Sequence, residues 1–222
     1  MHPDRLQLYS INSPNGKKVA CMLEETGLPY EAHTVNLWVD EQKLPEFTEI
    51  SPNGKIPILV DLTGAVDGGP LRIMESAAIL LYLAEKAGKF LPCVNTASKS
   101  ECMQWLFFQV GHIGPMFGQF EHFYRRGDDN QKDEYAINRY RAESIRLMSV
   151  LEQQLGSKVW LLGDDYSIAD IATFPWISSL LRMDTDGTLN LDLAFPDVIR
   201  WHDACLNRPA SQKGVTVCAV EG

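Results

Sequence analysis

A strand pattern gives way to a helix pattern within the stretch YSINSPNGKKVACMLEE, residues 9–25, and two small polar side chains lie at the junction. Apolar and polar residues alternate up to the start of this stretch, whereas Val19 and the apolar residues after it follow helical spacing. Ser13 and Asn15 therefore fall at the start of the helix, where unpaired backbone N–H groups and the positive end of the helix dipole favour an anion. Each side chain can also donate a hydrogen bond, so the pattern predicts a site that stabilises a negatively charged group.

The same order of strand, loop and helix is typical of the active-site turn in thioredoxin-type domains, where two cysteines carry the redox chemistry. Here Ser13 and Gly16 occupy the positions of those cysteines. Cys21 lies eight residues beyond Ser13. That separation is about 12 Å along a helix, at about 1.5 Å per residue. We therefore expect no protein thiol to act as the nucleophile at this turn.

The composition indicates an acidic, globular chain. Its 222 residues include 29 acidic and 20 basic side chains, which gives a formal charge of -9, and 45% of the residues are hydrophobic. A field of this sign repels nucleic acids and anionic lipid surfaces, so the sequence predicts neither as a partner. Apolar runs stay well short of the roughly 20 residues that cross a bilayer, and the first residues lack the pattern of a signal peptide. We therefore expect a cytoplasmic protein.

The spacing of cysteines and histidines argues against a metal site. The five cysteines are odd in number and widely separated, which fits neither a disulfide framework nor a C-x-x-C pair. The five histidines are not spaced as metal ligands usually are. The sequence therefore predicts buried or incidental thiols and no bound metal.

Strand and helix patterns interleave in the first part of the chain and give way to helices alone after about Leu91. Three strand patterns and one helix pattern follow the first helix: YEAHTVNL (30–37), IPILVDL (56–62), PLRIM (70–74) and ESAAILLYLAEKAG (75–88). Gly27, with Pro29 after it, ends the first helix pattern, and Gly88 ends the second. Turn residues at Asp67–Pro70 predict a hairpin between the last two strands. The expected division is an α/β domain at 1–90 and an all-helical domain at 97–222.

The later helices carry apolar residues spaced by threes and fours. Three of these patterns lie around residues 103–110, 137–155 and 196–206. A further helix begins at YSIADIA, where Ser167 can cap the helix and Asp170, three residues on, can complete a capping box.

The order of elements, β-α-β followed by β-β-α and then helices, is that of a glutathione transferase. Long motifs spread over nearly the whole chain resemble those of the bacterial nu-class glutathione transferases: SPNGKK, FTEISPNGKIPILVD, ESAAILLYLAEKAGKFLP, QWLFFQVGHIGPMFGQ, YAINRY and YSIADIATFPW. The resemblance implies an N-terminal thioredoxin-like domain that binds glutathione, a C-terminal glutathione transferase helical domain, and a homodimer.

The resemblance also implies how glutathione is anchored. Pro57 would follow a cis peptide bond, so that the backbone of Ile56 pairs with the cysteinyl backbone of glutathione. Ser76 begins a helix, where exposed N–H groups favour a carboxylate, and would bind the α-carboxylate of the γ-glutamyl group. Glu75 would bind its ammonium group.

Three further contacts are implied by the same pattern. Gln42 resembles a residue that contacts the glycyl end of glutathione, and Lys55 would lend positive charge to the same carboxylate. Arg139, in AINRY, resembles an arginine that reaches glutathione from the helical domain.

In this setting, Ser13 and Asn15 are the predicted catalytic residues, because they can donate hydrogen bonds to the sulfur of bound glutathione. Lowering a thiol pKa from about 8.5 by about two units takes roughly 2.7 kcal/mol. One charge-assisted hydrogen bond supplies about 1.5–3 kcal/mol and a helix start about 0.3–1 kcal/mol, so the two together suffice. Tyr9 remains an alternative, since other classes of the family use a tyrosine late in the first strand.

The activity implied is glutathione-dependent reduction of small disulfides. Two alternatives stay open at this point: conjugation of glutathione to electrophiles, and a regulatory binding protein on the same fold, like a fungal nitrogen-regulation relative.

Overall fold

The computed structural model describes residues 6–64, 69–92, 96–125, 133–184, 189 and 191–220. The chain divides into two compact units, one made of residues up to Leu91 together with those from Asn207 onward, and one made of Pro92–Leu206. The predicted domain limits, 1–90 and 97–222, stay a prediction, and the structure adds that the last helical segment packs within the first unit.

The first unit is built on a four-stranded sheet. Its strands are β1 (Leu6–Ser10), β2 (Tyr30–Thr34), β3 (Ile58–Asp61) and β4 (Leu71–Met74). They lie in the order β2-β1-β3-β4. Strand β1 pairs in parallel with β2 and antiparallel with β3, and β3 pairs antiparallel with β4. Each prediction of a strand is confirmed, although β2, β3 and β4 are shorter than their patterns. Asp67 and Gly68, the first half of the predicted turn, lie outside the described residues.

Two long helices of this unit pack against each other and cover the sheet. They are α1 (Pro14–Thr26) and α3 (Ser76–Ala87). Both end as predicted at a glycine in the left-handed conformation, Gly27 and Gly88, where the missing side chain removes the steric penalty. Two short 3-10 turns and helix α2 follow β2, at Leu37–Val39, Glu41–Lys43 and Pro45–Ile50.

The connection between β1 and α1 is unusually close. A Cβ atom on Gly16 would lie 2.0 Å from the carbonyl oxygen of Ile11 and 2.5 Å from the hydroxyl oxygen of Ser10. Only glycine fits at this contact. The first turn of α1 therefore sits directly on the end of β1.

The described residues of the second unit form helices joined by turns and loops, with an isolated bridge between Trp160 and Gly163. Its helices are α4 (Thr96–Phe108), α5 (Gly114–Arg125), α6 (Glu134–Leu155), α7 (Ile168–Met183), α8 (Leu191–Ala194) and α9 (Pro196–Leu206). A π-helical turn, Gln109–Ile113, joins α4 to α5. The predicted fold class, α/β plus all-α, is confirmed.

Within the described part of the chain, every helix is too short or too polar to cross a bilayer.

The predicted capping box at the start of α7 is present. Both oxygens of the buried Asp170 carboxylate are used: they accept from the backbone N–H groups of Leu161 and Ser167, both at 2.9 Å, and from the indole N–H of Trp201 at 2.8 Å. One carboxylate thereby ties the preceding loop and α9 to the start of α7.

A last helix, α10 (Pro209–Gly214), belongs to the first unit and packs along α1. It has its own close contact, because a Cβ atom on Gly214 would lie 2.6 Å from the Cα atom of Cys21. The two helices therefore touch backbone to backbone.

We expect Asp170→Ala to destabilise the second unit strongly. The change leaves three buried N–H donors without their acceptor, and each unpaired buried donor costs about 1–3 kcal/mol. The midpoint of urea unfolding, followed by tryptophan fluorescence, should fall well below that of the parent protein. Asp165→Ala, at an exposed carboxylate five residues away, is the matched control and should leave the midpoint in place. Equal midpoints for the two variants would contradict the role given to Asp170.

Candidate active site

A cavity of about 200 Å³ lies in the first unit, between the starts of α1 and α3 and the loop that leads into β3. It gathers six of the residues that the sequence analysis selected and adds three more. The lining residues are Asn15, Ser51, Asn53, Lys55, Ile56, Pro57, Met74, Glu75 and Ser76.

The start of α1 is organised by Ser13. Its backbone is extended, and its side-chain oxygen accepts a hydrogen bond from the N–H of Gly16 at 3.2 Å, as an N-cap residue does. A hydroxyl that accepts in this way keeps its own hydrogen for donation. Asn15, in the first turn, lines the cavity. Ser13 is half-buried beside it and is not itself a lining residue.

The start of α3 contributes Ser76 and Glu75. Ser76 is the first helical residue and is largely buried, whereas Glu75 occupies the N-cap position with an exposed side chain that makes no cap hydrogen bond. The backbone of Glu75 is left-handed, with φ of 69°. A non-glycine residue in this region costs of order 1–3 kcal/mol, and such strain clusters at functional sites. The N–H groups and the carboxylate thus face one cavity, which suits a ligand that carries both charges.

The loop before β3 forms the third wall. The Ile56–Pro57 peptide bond is cis, as the resemblance implies. The buried hydroxyl of Ser51 clasps the loop, because it donates to the carbonyl of Lys55 at 2.9 Å and accepts from the N–H of the same residue at 3.2 Å. The backbone at Lys55 and Ile56 is therefore held in place by a side chain that the sequence analysis did not single out.

Three predicted residues lie away from the lining of this cavity. Gln42 donates to Asp40 at 3.1 Å, and its backbone carbonyl packs beside Gly54 in the loop just described. Arg139 is exposed on α6, in the second unit. Tyr9 stacks on the ring of His33, with 4.6 Å between ring centroids. The roles of Gln42 and Arg139, and the alternative role of Tyr9, stay predictions.

Two family models match the chain: the glutathione S-transferase N-terminal domain over residues 12–86 and the glutathione S-transferase C-terminal domain over residues 103–209. The protein named disulfide-bond oxidoreductase YfcG, from Escherichia coli, is 45% identical over 93% of this chain and 92% of its own length. The chain belongs to the glutathione S-transferase family. Its thioredoxin-like first unit and helical second unit are the two domains of that family.

Two solved glutathione transferases are also similar to this family member. One, from Burkholderia graminis, was crystallised with two glutathione molecules bound per subunit; it is 49% identical, with a TM-score of 0.90 over 96% of this chain and 88% of that one. The other, from Pseudomonas putida, holds one glutathione disulfide per subunit; it is 45% identical, with a TM-score of 0.90 over 97% of this chain and 92% of that one.

Sequence reasoning missed Lys18, which lies beneath the cavity of this transferase. The side chain is 2% exposed and donates a hydrogen bond from Nζ to the hydroxyl oxygen of Ser76 at 3.4 Å. Burial lowers the pKa of Lys18 to about 7, although the negative charge of Glu75 acts in the opposite direction. One signal was available: Lys18 precedes Met22 by four residues, which places a cation on the apolar face of α1.

Cys21 is sealed inside the first unit. It is fully buried, and its Sγ donates to the backbone carbonyl of Ser211 at 3.8 Å. Burial, reinforced by the charge of Glu25, raises the pKa of the thiol to about 12. Burial also raises the pKa of Cys102, to about 11, and that of Cys218. These thiols stay protonated at neutral pH, so none of the three is a ready nucleophile. Cys205 is also buried, and Cys93 lies outside the described residues.

No group of three or more His, Cys, Asp or Glu side chains within the described ranges is arranged to hold a metal ion.

We expect the stability of the protein to rise with pH through the titration range of Lys18. In the unfolded chain this lysine titrates near 10.5, but in the folded protein its pKa is about 7. Folding therefore disfavours the ammonium form: the penalty is fully present below pH 7 and is relieved as the pH approaches 10.5. Each pH step of one between these values should add up to about 1.4 kcal/mol to the free energy of unfolding.

Comparing urea unfolding at pH 7 and pH 9 isolates this contribution. The parent protein should gain more stability over this interval than Lys18→Met, which has no ammonium group to bury. Lys17→Met, one residue away and half-buried, is the control and should keep the slope of the parent. If Lys18→Met retains the full slope, another group is responsible for the titration.

Proposed function

We propose that this chain reduces small disulfides with glutathione and that the reacting thiol belongs to glutathione rather than to the protein. One observation carries the proposal: the start of α1 presents Asn15 to a cavity, while Cys21, on the same helix, is buried with a pKa of about 12. The helix start is thus equipped to stabilise a thiolate, and the helix itself offers no thiol there. The Escherichia coli relative is named a disulfide-bond oxidoreductase, and the similar structures hold two glutathiones or one glutathione disulfide; both facts support the same conclusion.

Glutathione would be anchored by residues at the start of α3 and in the loop before β3, which line the same cavity as Asn15. Its γ-glutamyl α-carboxylate would accept from the first N–H groups of α3 and from the Ser76 hydroxyl, and its ammonium would pair with Glu75. The backbone of Ile56, next to Pro57, would pair with the cysteinyl residue. For the glycyl carboxylate, Lys55 and Gln42 would supply a positive charge and an amide.

The reaction requires two glutathiones and no protein thiol. The first thiolate, held by the Ser13 hydroxyl and the Asn15 amide, attacks one sulfur of the substrate disulfide; a new S–S bond forms and one substrate thiolate leaves. The thiolate of a second glutathione then attacks the glutathione sulfur of this mixed disulfide. The second substrate thiolate leaves, and glutathione disulfide remains. The protons of the two glutathione thiols end on the two product thiols, so one disulfide is reduced as another is formed.

The proposal keeps the finer expectations of the sequence analysis. They are membership of the nu class, a homodimer, a cytoplasmic location, and an Arg139 that contributes to glutathione binding. The division into domains at 1–90 and 97–222 is kept on the same basis, with the packing of α10 against α1 as its qualification.

We expect a variant with all five cysteines replaced by serine or alanine to keep most of its disulfide reductase activity. Turnover would be measured with a small dialkyl disulfide as substrate and glutathione as reductant, after circular dichroism has confirmed that the variant is folded. Position 21 should receive alanine, because that thiol is buried against α10. A folded variant without activity would overturn the mechanism, as would a protein–glutathione mixed disulfide that forms and decays at the turnover rate.

We expect Asn15→Ala and Ser76→Ala to separate catalysis from binding. Asn15 is assigned to the thiolate, so its loss should lower kcat by about tenfold or more, with little change in the glutathione dissociation constant. Ser76 is assigned to the carboxylate, so its loss should weaken glutathione binding by about 1–3 kcal/mol, measured by calorimetry. The assignments are wrong if the two effects are exchanged. Conjugation of an aryl halide, assayed in parallel, would reveal whether electrophiles are the better substrates.

A further inference from the structure

The segment after the second unit, residues 207–220, runs along α1 and contacts that helix at its carboxyl end, in its middle and at its amino end. At the carboxyl end of α1, the Arg208 guanidinium binds the Glu25 carboxylate, with 2.8 Å between Nη2 and Oε2. Lys213 forms an ion pair with Glu24 at 2.8 Å, and the Glu24 side chain is mostly buried. The end of α1 that lies far from the cavity is thus clamped by two charged pairs.

In the middle of α1 the contact is steric. Gly214 lies directly against the backbone of Cys21, where even a Cβ atom would be 2.6 Å from the Cα atom. The Cys21 thiol donates to the carbonyl of Ser211 from the same side. Because interiors pack without slack, the distance between the two helices is fixed here.

At the amino end of α1 the segment reaches the turn that carries the predicted catalytic residues. The Nδ2 atom of Asn12 donates to the carbonyl of Val215 at 2.8 Å, and the backbone N–H of Asn12 donates to the carbonyl of Cys218 at 3.0 Å. Asn12 immediately precedes Ser13, the N-cap of α1. Both hydrogen bonds of Asn12 thus join this turn to residues more than two hundred positions later in the chain.

The turn has little freedom to absorb a displacement. The N–H of Ser13 is bonded to the carbonyl of Ile11 at 2.7 Å, and Gly16 presses on that same carbonyl. A shift of Asn12 must therefore move Ser13 and the first turn of α1 with it.

We propose that Asn12 is a positioning residue for the thiolate site, and that residues 215–218 act through it to hold Ser13 and Asn15 at hydrogen-bonding distance from the sulfur of glutathione. The inference rests on the proposed function, because it concerns the same thiolate. Stabilisation by fixed donors depends on their being preorganised at the place where charge resides, and small misplacements are costly. An asparagine suits this positioning role, because its side-chain amide donates to the Val215 carbonyl while its own backbone N–H donates to the Cys218 carbonyl.

The decisive variant is Asn12→Ala, which removes the side-chain bond, leaves the backbone N–H in place and adds no charge near the thiolate. Asn12→Asp is the second variant; it keeps the shape of the side chain but replaces the donor with a charged acceptor that faces a carbonyl oxygen, and its negative charge also raises the thiol pKa. Two control variants distinguish displacement of the thiolate site from a general loss of protein stability. Arg208→Ala loosens the far end of α1, and Thr216→Ala alters the same segment at an exposed hydroxyl that bonds only within it, to Lys213.

The primary measurement is the pKa of the thiol of bound glutathione, followed by the ultraviolet absorbance of the thiolate in the complex with glutathione alone. We expect Asn12→Ala to raise this pKa by about one, a tenfold loss of thiolate stabilisation, and to lower kcat while the glutathione dissociation constant stays within about twofold. Arg208→Ala should lower the unfolding midpoint without moving the thiol pKa. Thr216→Ala should change neither quantity.

The outcomes are distinguishable because the absorbance requires no disulfide substrate. If the parent protein does not lower the thiol pKa of glutathione at all, the thiolate mechanism in the proposed function fails, and this inference with it. If the parent lowers it and both Asn12 variants lower it equally, Asn12 has no positioning role. A pKa that rises in Arg208→Ala as much as in the Asn12 variants would also overturn the inference, because the effect would then reflect general loosening of the unit.

Discussion

The contact of Gly16 with the end of β1 sets the position of the candidate active site. Because no side chain separates them, the first turn of α1 rests on the carbonyl of Ile11, and the starts of α1 and α3 both open onto one cavity. Each helix start offers N–H groups and the positive end of a dipole. One suits a sulfur anion and the other a carboxylate, so a single tripeptide with a thiol and a carboxylate can use both.

The charged residues around this cavity also lower the free energy of unfolding of the protein. Lys18 adds a cation beneath Ser76, but it is buried so deeply that the neutral amine and the ammonium are nearly balanced at neutral pH. Glu75 adds a carboxylate on a strained backbone beside it. These features lower the stability of the protein, and a zwitterionic γ-glutamyl group bound at the start of α3 would offset part of that cost. Affinity for the ligand and instability without it then have the same physical origin.

Local signals carried most of what could be predicted. The strand β1, the glycine ends of α1 and α3, and the capping box of Asp170 depend on neighbours a few residues apart, so patterning and capping rules were enough. The hydrogen bond of the buried Lys18 depends on Ser76, which lies 58 positions later in the chain. The hydrogen bonds of Ser51 depend on the backbone shape of its loop. The place of α10 in the first unit could not be predicted either, since its sequence is that of any short helix and its partner is the distant α1.

The pairing of α10 with α1 has a consequence for the order in which the molecule can be made. During synthesis the whole of the second unit leaves the ribosome before the residues that complete the first. Until those residues are made, α1 lacks the helix that covers Cys21 and that binds the acidic carboxyl end of α1. This face of α1 is exposed to water in the meantime. Such long-range contacts are slow to form, and the intermediates that precede them are prone to aggregate. Maturation of the first unit is thereby tied to translation of residues 207–220, which follow the entire second unit.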